Sequence, residues 1–437
     1  MQTILHIAEN PFTTVREIEM LGNEDRKKIH AWNQEVPPTE LVCIHDCIGE
    51  QFRKRPEAPA ICAWDGNFSY EELDRHSSTL AVRLQKYGVQ PDMFVPILLE
   101  KSRWVSVAFL AVLRAGGAFV FLDPSHPDSR LQYMCQTLQS KVIICSPDDR
   151  ERGRILAETV VPVSRLELEL CWTDETATCM AKPDSAAYAV FTSGSTGKPK
   201  GVVIEHANYA TSGRSLAKQL HVSSDSRVLQ FASHAFDVSV SDYLTTLMAG
   251  GCVCVPSEVD RLNDIPGTVD RLGVNWIHMT PSVARTVQPW QVPSIQVVVL
   301  SGEVMQEVNI QTWGMAVRLI NAYGPAECSV DCVVNDEVVS RPNSIGTASA
   351  SVCWITDRHD PERLLPIGAV GELLVEGPVV GRGYLRNEEQ TRKAFIPPPR
   401  WLKQLPRPNN TTTRLYRTGD LVQYLPDGAM RYIGRRD

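Results

Sequence analysis

Two periods of apolar and polar residues divide this 437-residue chain. From about 41 to 330, short apolar runs at 94–99, 141–145, 228–231, 252–255, 276–279, 297–300 and 318–320 alternate with longer stretches. In those stretches, at 70–85, 104–115, 130–138 and 238–248, apolar residues recur at helical spacing. Alternation of this kind predicts an α/β fold of largely parallel sheets flanked by helices. Several runs end in loops of polar residues, glycine and proline: Thr280-Pro281-Ser282, Ser301-Gly302-Glu303 and Asn321-Ala322-Tyr323-Gly324-Pro325. Loops at strand C-termini are where such folds bind ligands.

The pattern changes after about 333. Strand-like runs at 351–355, 371–375 and 421–424 are separated by Gly/Pro turns, which predicts a small β-barrel or sandwich. Residues 397–413, with three consecutive prolines followed by more proline, asparagine and threonine, read as a long exposed loop. Residues 1–40 are mixed and charged, with one amphipathic helical stretch at 18–32, and read as a connector. The expected units are therefore 1–40, 41–332 and 333–437, with no internal repeat.

Composition narrows the function. The chain is 43% hydrophobic and 22% charged, ordinary for a globular protein. A net charge of −7 gives no reason to expect a nucleic-acid partner. No apolar run is long enough to predict a membrane span, and Met1–His6 lacks the layout of a secretion signal. Twelve cysteines lie scattered, mostly inside apolar segments, as expected for reduced, buried thiols in a cytoplasmic protein. Cys43, His45 and Cys47 fit no standard zinc spacing.

The densest chemical signal is Thr192-Ser193-Gly194-Ser195-Thr196-Gly197-Lys198-Pro199-Lys200-Gly201, directly after the apolar run 186–191. Glycines let backbone N–H groups approach a phosphate closely, and the hydroxyls and lysines add donors and positive charge. The spacing is not that of a Walker A loop. A Gly/Ser linker would need neither the two lysines nor the apolar Val202-Val203-Ile204 that follows at once.

Taken with that loop, further motifs occur in order along the chain. They are Phe68-Ser69-Tyr70-Glu71-Glu72-Leu73, Leu113-Arg114-Ala115-Gly116-Gly117-Ala118, Phe236-Asp237-Val238-Ser239 and 321–327, then Gly371-Glu372-Leu373, Arg382-Gly383-Tyr384-Leu385 and Tyr416-Arg417-Thr418-Gly419-Asp420-Leu421. Together they resemble the amino-acid adenylation domains of nonribosomal peptide synthetases, within the adenylate-forming superfamily. The resemblance implies two α/β sheets, a small β-barrel subdomain and a two-step reaction. A carboxylate attacks the α-phosphorus of Mg-ATP and expels pyrophosphate; a phosphopantetheine thiol on a carrier domain then takes the acyl group.

The resemblance also assigns roles. Thr192, Ser193, Gly194, Ser195, Thr196, Gly197 and Lys200 would hold the β- and γ-phosphates, with Thr192, Lys200 and Glu327 as catalytic groups. Gly302, Glu303, Asn321, Ala322, Tyr323 and Gly324 would surround the nucleotide, with Tyr323 stacked on adenine and Asn321 at its edge. Asp420, helped by Arg435, would accept from the ribose hydroxyls, and Glu327 would ligate Mg²⁺, a hard carboxylate for a hard cation. Asp237 would bind the α-ammonium of an amino acid; an acid without an amine would leave that carboxylate buried and unpaired. Capping of the helix that follows is its structural alternative. The rest of the substrate pocket carries over as Val238, Ser241, His278, Val299, Ser301, Ala322, Val330 and Asp331.

His278, Ser301 and Asp331 are similar to pockets for serine, which commonly carry tryptophan at the place of Ser241. A polar side chain larger than serine's is expected, ending in a hydroxyl, amide, amine or ring N–H. His278 paired with Asp331 would leave a simpler cavity. Ala326 stands where the family usually has threonine, a loss of roughly 0.5–1.5 kcal/mol in one α-phosphate contact. The family continues past Gly434-Arg435-Arg436-Asp437 into a small C-terminal lobe carrying a catalytic lysine; its absence here reads as a fragment, weak on its own, of a larger synthetase with condensation and carrier partners. A nucleotide-binding module without turnover and an acyl-CoA ligase remain alternatives, the latter discriminated by whether Asp237 is needed for substrate binding.

Overall fold

The structure is a computed structural model and describes residues 21–170, 175, 177–192, 199–405 and 414–436. Three sheets carry the described strands. The first has nine, in the order Thr347–Ala348, Val333–Asn335, Arg318–Tyr323, Val297–Leu300, Trp276–Met279, Arg227–Leu229, Cys252–Val255, Pro59–Ala63 and Gly66–Ser69. Its centre is parallel and its margins antiparallel. The second has seven: Gly383–Tyr384, Lys200–Glu205, Ala186–Thr192, Ala118–Leu122, Phe94–Leu98, Val142–Cys145 and Thr159–Pro162. The third is a small antiparallel half-barrel built on Val352–Thr356, Val370–Glu376 and Leu415–Tyr424.

The parallel strands are buried on both faces, which is why they read as continuous apolar runs. The largest core lies between the first two sheets and encloses the helix Arg103–Ala115, apolar almost all round. Its neighbour Tyr70–Lys86 starts at a capping box: Ser69 accepts from the Glu72 N–H while Glu72 returns a bond to the Ser69 N–H. Further apolar cores cover the outer faces of both sheets. Among the described residues no helix is long and apolar enough to cross a membrane.

Sheet membership does not break at 333. Val333–Asn335 and Thr347–Ala348 extend the first sheet, and Gly383–Tyr384 pairs with Lys200–Glu205 in the second. Of the expected connector 1–40, the described part from residue 21 packs on the half-barrel: in the helix Asn23–Asn33, Ile29 enters its core. Asn33 donates to the Tyr424 hydroxyl at 3.0 Å and accepts from the Cys353 N–H at 3.2 Å. Within the expected loop 397–413, residues Arg400–Lys403 form a short helix that sets Trp401 edge-on to buried Trp354, 4.9 Å between ring centres. Apolar Trp401 and Leu402 amid prolines carried that signal.

Candidate functional site

Two regions carry the candidate residues. One is a cleft of about 530 Å³ lined by Gly302, Glu303, Asn321, Ala322, Tyr323, Gly324 and Asp420. Strand register builds it: Leu300 and Asn321 are paired, so the loops after both strands open at one edge. Gly302 takes a left-handed φ of +78° at the turn, and the Glu303 carboxylate accepts from the Ser282 N–H at 3.0 Å, tying two of these loops together. Asp420, buried, accepts from the Tyr323 hydroxyl at 2.5 Å and from Arg435 Nη1 at 3.0 Å. Asp420 and Arg435 are register partners on adjacent strands, so the pair is fixed by the sheet. The Asn321 amide donates to the Ser344 carbonyl at 3.3 Å.

Thr192 and Lys200 are opposite each other at the mouth of the hairpin-like strand pair of the second sheet. Ser193, Gly194, Ser195, Thr196 and Gly197 lie outside the described residues. Lys200 Nζ sits 5.2 Å from the centre of the Tyr384 ring, and the Tyr384 hydroxyl donates to Glu327 Oε1 at 2.7 Å. Tyr384 thus links the lysine of the glycine-rich loop to the acid after Pro325. The sequence marked its motif, Arg382-Gly383-Tyr384-Leu385, without giving it a role. Antiparallel pairing with residues nearly two hundred positions earlier brings it here.

The second region is acidic. Asp237 is the N-cap of the helix Val238–Ala249, yet its side chain makes no capping bond, so capping does not explain it. Burial, with Glu327 nearby, pushes its carboxyl up to about 6. Asp331 is raised to about 8 by burial and by Asp237, and its Oδ2 has no hydrogen-bond partner among the described residues. Asp237 therefore feels both Glu327 and Asp331, with no cationic side chain paired to any of the three among the described residues.

Asp331 is aimed there by backbone strain. Ser329 and Val330 both take positive φ, +58° and +81°, unusual for any side chain and most of all for a β-branched one. Gly324 permits it: a Cβ there would lie 2.0 Å from the Val330 carbonyl oxygen. His278 does not pair with Asp331. Its Nε2 shares a 2.7 Å hydrogen bond with Ser301 Oγ, its Nδ1 is buried without a partner among the described residues, and burial lowers its pKa to about 3, so the ring is neutral. Ser241 faces Thr245, Oγ to Oγ1 at 3.3 Å, and Thr245 also bonds the Tyr209 hydroxyl at 2.8 Å. Val299 and Ala322 are buried in one apolar core, and Val330 in another, against which Val238 packs.

Sequence reasoning missed two groups near this region. Lys101 is buried and donates to the Ala232 carbonyl at 2.6 Å and to the Gln230 side chain, which holds the loop leading to Asp237. Asp242, one residue past Ser241, is buried and driven towards its neutral form by burial. Neither stands in a motif. The dismissed metal set gains a member, since Cys43 and His45 lie close to His206. However, His206 Nδ1 accepts the Ile44 N–H at 3.2 Å, which leaves Nε2 protonated and without the lone pair a metal needs. Cys47 instead accepts from Arg214.

A nucleotide-sized cleft and a group of buried acids on this α/β scaffold fit an adenylate-forming lobe. The chain belongs to the AMP-binding enzyme family, which it matches over residues 48–385. It is 43% identical over 439 residues to nonribosomal peptide synthetase lenA of Aspergillus lentulus, covering 99% of this chain and 9% of that protein. It is 46% identical over 446 residues to nonribosomal peptide synthase roqA of Penicillium rubens, covering 99% of this chain and 18% of that protein. The chain thus spans less than a fifth of these relatives' length. The crystal structure of the nonribosomal peptide synthetase FmoA3 matches with a TM-score of 0.85 at 26% identity, over 98% of this chain and 46% of that one. Its α-methyl-L-serine-AMP-bound form matches with a TM-score of 0.82 at 25% identity, over 96% and 48%.

Proposed function

We propose that this chain activates an α-amino acid with ATP, giving aminoacyl-AMP and pyrophosphate, for transfer to a phosphopantetheine arm in nonribosomal peptide synthesis. The observation that carries this reading is Asp237: a carboxyl whose burial raises its pKa, with no cation paired to it among the described residues and two more acids nearby. Such a site favours an ammonium and disfavours a plain fatty or aryl acid. The substrate carboxylate would attack the α-phosphorus and pyrophosphate would leave. In this reading Tyr323, Asn321 and Asp420 hold adenosine, and Thr192, Lys200 and the loop between them hold the departing phosphates. The Glu327 carboxylate is a hard oxygen donor, buried and oriented by Tyr384, and fits a divalent cation. Mg²⁺ there would neutralise phosphate charge.

The substrate side chain is polar and larger than serine's. Neutral His278, Ser301 and a protonated Asp331 offer donors and acceptors together, while Ser241 and Ala322 leave depth. The FmoA3 relative, with α-methyl-L-serine-AMP bound, supports a hydroxyl-bearing class. The partners are the carrier and condensation domains of the parent synthetase, and the location is cytoplasmic. A thermal-shift screen with Mg-ATP and a panel of amino acids tests this, since a ligand of the native state raises Tm with its occupancy. Stabilisation by Mg-ATP plus one polar amino acid is expected. Equal stabilisation by fatty or aryl acids would overturn the amino-acid assignment.

A further inference from the structure

Away from the nucleotide cleft and the amino-acid pocket, the outer face of the first sheet carries a cluster of thiols. Cys62 and Cys254 are direct register partners on adjacent parallel strands. Cys252 precedes Cys254 by one full strand period and therefore points to the same face. Arg227, on the next strand, is the register partner of Cys252. One face of three neighbouring strands thus presents a guanidinium and three sulfurs in a row. Helix Ile265–Arg271 and the residues after it cover that face, with the Cys254 sulfur 3.5 Å from the Leu272 carbonyl oxygen. Arg227 is anchored there too, with Nη2 donating to Leu272 at 2.6 Å and Nε to Gly273 at 3.0 Å.

The members are not equivalent. Cys62 is half-buried and reachable, whereas Cys254 and Cys252 are fully buried. The thiol of Cys254 and the charge of Arg227 both favour a thiolate on Cys62, whose pKa falls to about 6 despite burial. Cys254 is pushed the other way, by the same hydrogen bonding and by burial, and keeps its proton. A low-pKa accessible sulfur opposite a protonated buried one is the arrangement of an attacking and a resolving thiol. A soft metal ion fits poorly, because it would need the buried thiols deprotonated beside a fixed guanidinium.

We propose that Cys62 is a peroxide-reactive thiolate and that Cys254 resolves it as a disulfide across the two strands. The Cys62 thiolate attacks one oxygen of hydrogen peroxide; the O–O bond breaks, hydroxide leaves and takes a proton as water, and Cys62 becomes a sulfenic acid. The Cys254 sulfur then attacks the Cys62 sulfur, the S–O bond breaks, and the Cys254 proton leaves with the hydroxyl as a second water. Two thiols are oxidised and one peroxide is reduced to two waters. Adjacent strands lie about 4.8 Å apart, within the Cα separation that disulfides span. Neighbouring Gly66–Ser69 pairs with the Cys62 strand through a register irregularity at Pro59/Ile61.

The test is peptide mapping of the intact chain after titration with hydrogen peroxide, alongside competitive alkylation at pH 7. Cys62 should alkylate at least about tenfold faster than the buried cysteines. Peroxide should yield a Cys62–Cys254 linkage that dithiothreitol reverses. In Cys254→Ser the reaction should stop at a sulfenic acid on Cys62 that dimedone traps, and in Cys62→Ser no linkage to Cys254 should form. Should Cys254→Ser fold poorly, the wild-type linkage map decides alone. Alkylation of Cys62 no faster than the others, or a peroxide-induced linkage that bypasses Cys62 or Cys254, would overturn the proposal.

Discussion

The proposed nucleotide cleft and the proposed amino-acid pocket treat their polar groups in opposite ways. In the cleft, Asp420 is already bonded to Tyr323 and Arg435, Asn321 to Ser344, and Glu303 to Ser282. In the pocket, among the described residues, Asp331 Oδ2 and His278 Nδ1 are buried without partners, and no cation is paired to Asp237. The cleft is arranged in advance by its own hydrogen bonds and suits a ligand common to a whole enzyme class. The pocket leaves polarity unsatisfied until a ligand arrives, and unsatisfied polarity is what discriminates between ligands. In the proposed assignment, selectivity and strain would share a location, next to the left-handed Ser329-Val330 step.

Asp237→Asn breaks this contrast most sharply. Amino-acid affinity should fall by about 2–5 kcal/mol, at least about thirtyfold, since an ammonium loses its buried counter-charge. Mg-ATP affinity should be unchanged within about twofold, an equivalence that calorimetry can read for both ligands. The free protein should respond in the other direction. A carboxyl whose folded pKa is raised to about 6 makes the fold less stable as pH rises from the unfolded value through 6. Asp237→Asn should therefore raise the Tm of the free protein at pH 7 and leave it unchanged at pH 4. A lowered Tm at pH 7 would mean that Asp237 serves the fold after all.

Asp331→Asn sharpens the pocket side. With the wild-type carboxyl raised to about 8, Asp331 is protonated at pH 7 and becomes charged as pH rises through 8. Asp237 is already ionised above 6, so titrations between pH 6.5 and 8 isolate Asp331. For an amino acid with a neutral hydroxyl or amide tip, affinity should be flat across that range and nearly equal in Asp331→Asn. For a cationic tip, wild-type affinity should rise by up to about tenfold per pH unit, and the variant should lose that slope.

The parts of the molecule legible in the sequence share a physical cause. Strands buried on both faces, such as Cys252–Val255, Trp276–Met279 and Val297–Leu300, emerge as apolar runs with the bounds the sequence suggests. Asp237, Asp331 and His278 were named from the sequence through the resemblance alone. Their state was not, because burial and partner choice depend on residues far along the chain: His278 bonds Ser301 from the neighbouring strand, and Gly324 makes room for the backbone that aims Asp331. Tyr384 escaped a role for the same reason, since only its pairing with Val202 brings it to Glu327 and Lys200. Two-residue strands like Gly383–Tyr384 are too short to show a period.

The smallest expected effect belongs to the cleft, and it separates two partners of one carboxylate. Arg435 lies 60% exposed in its pair with Asp420, so water and salt screen the interaction. Arg435→Ala should weaken Mg-ATP binding by no more than about 1 kcal/mol, an effect that shrinks further in high salt. Tyr323→Phe removes a buried bond to the same acid, which should cost about 1–2 kcal/mol, independent of salt. Neither variant should change which amino acid stabilises the protein. If Arg435→Ala altered that choice, the cleft and the pocket would be one coupled site, and their different treatment of polar groups would not mark separate tasks.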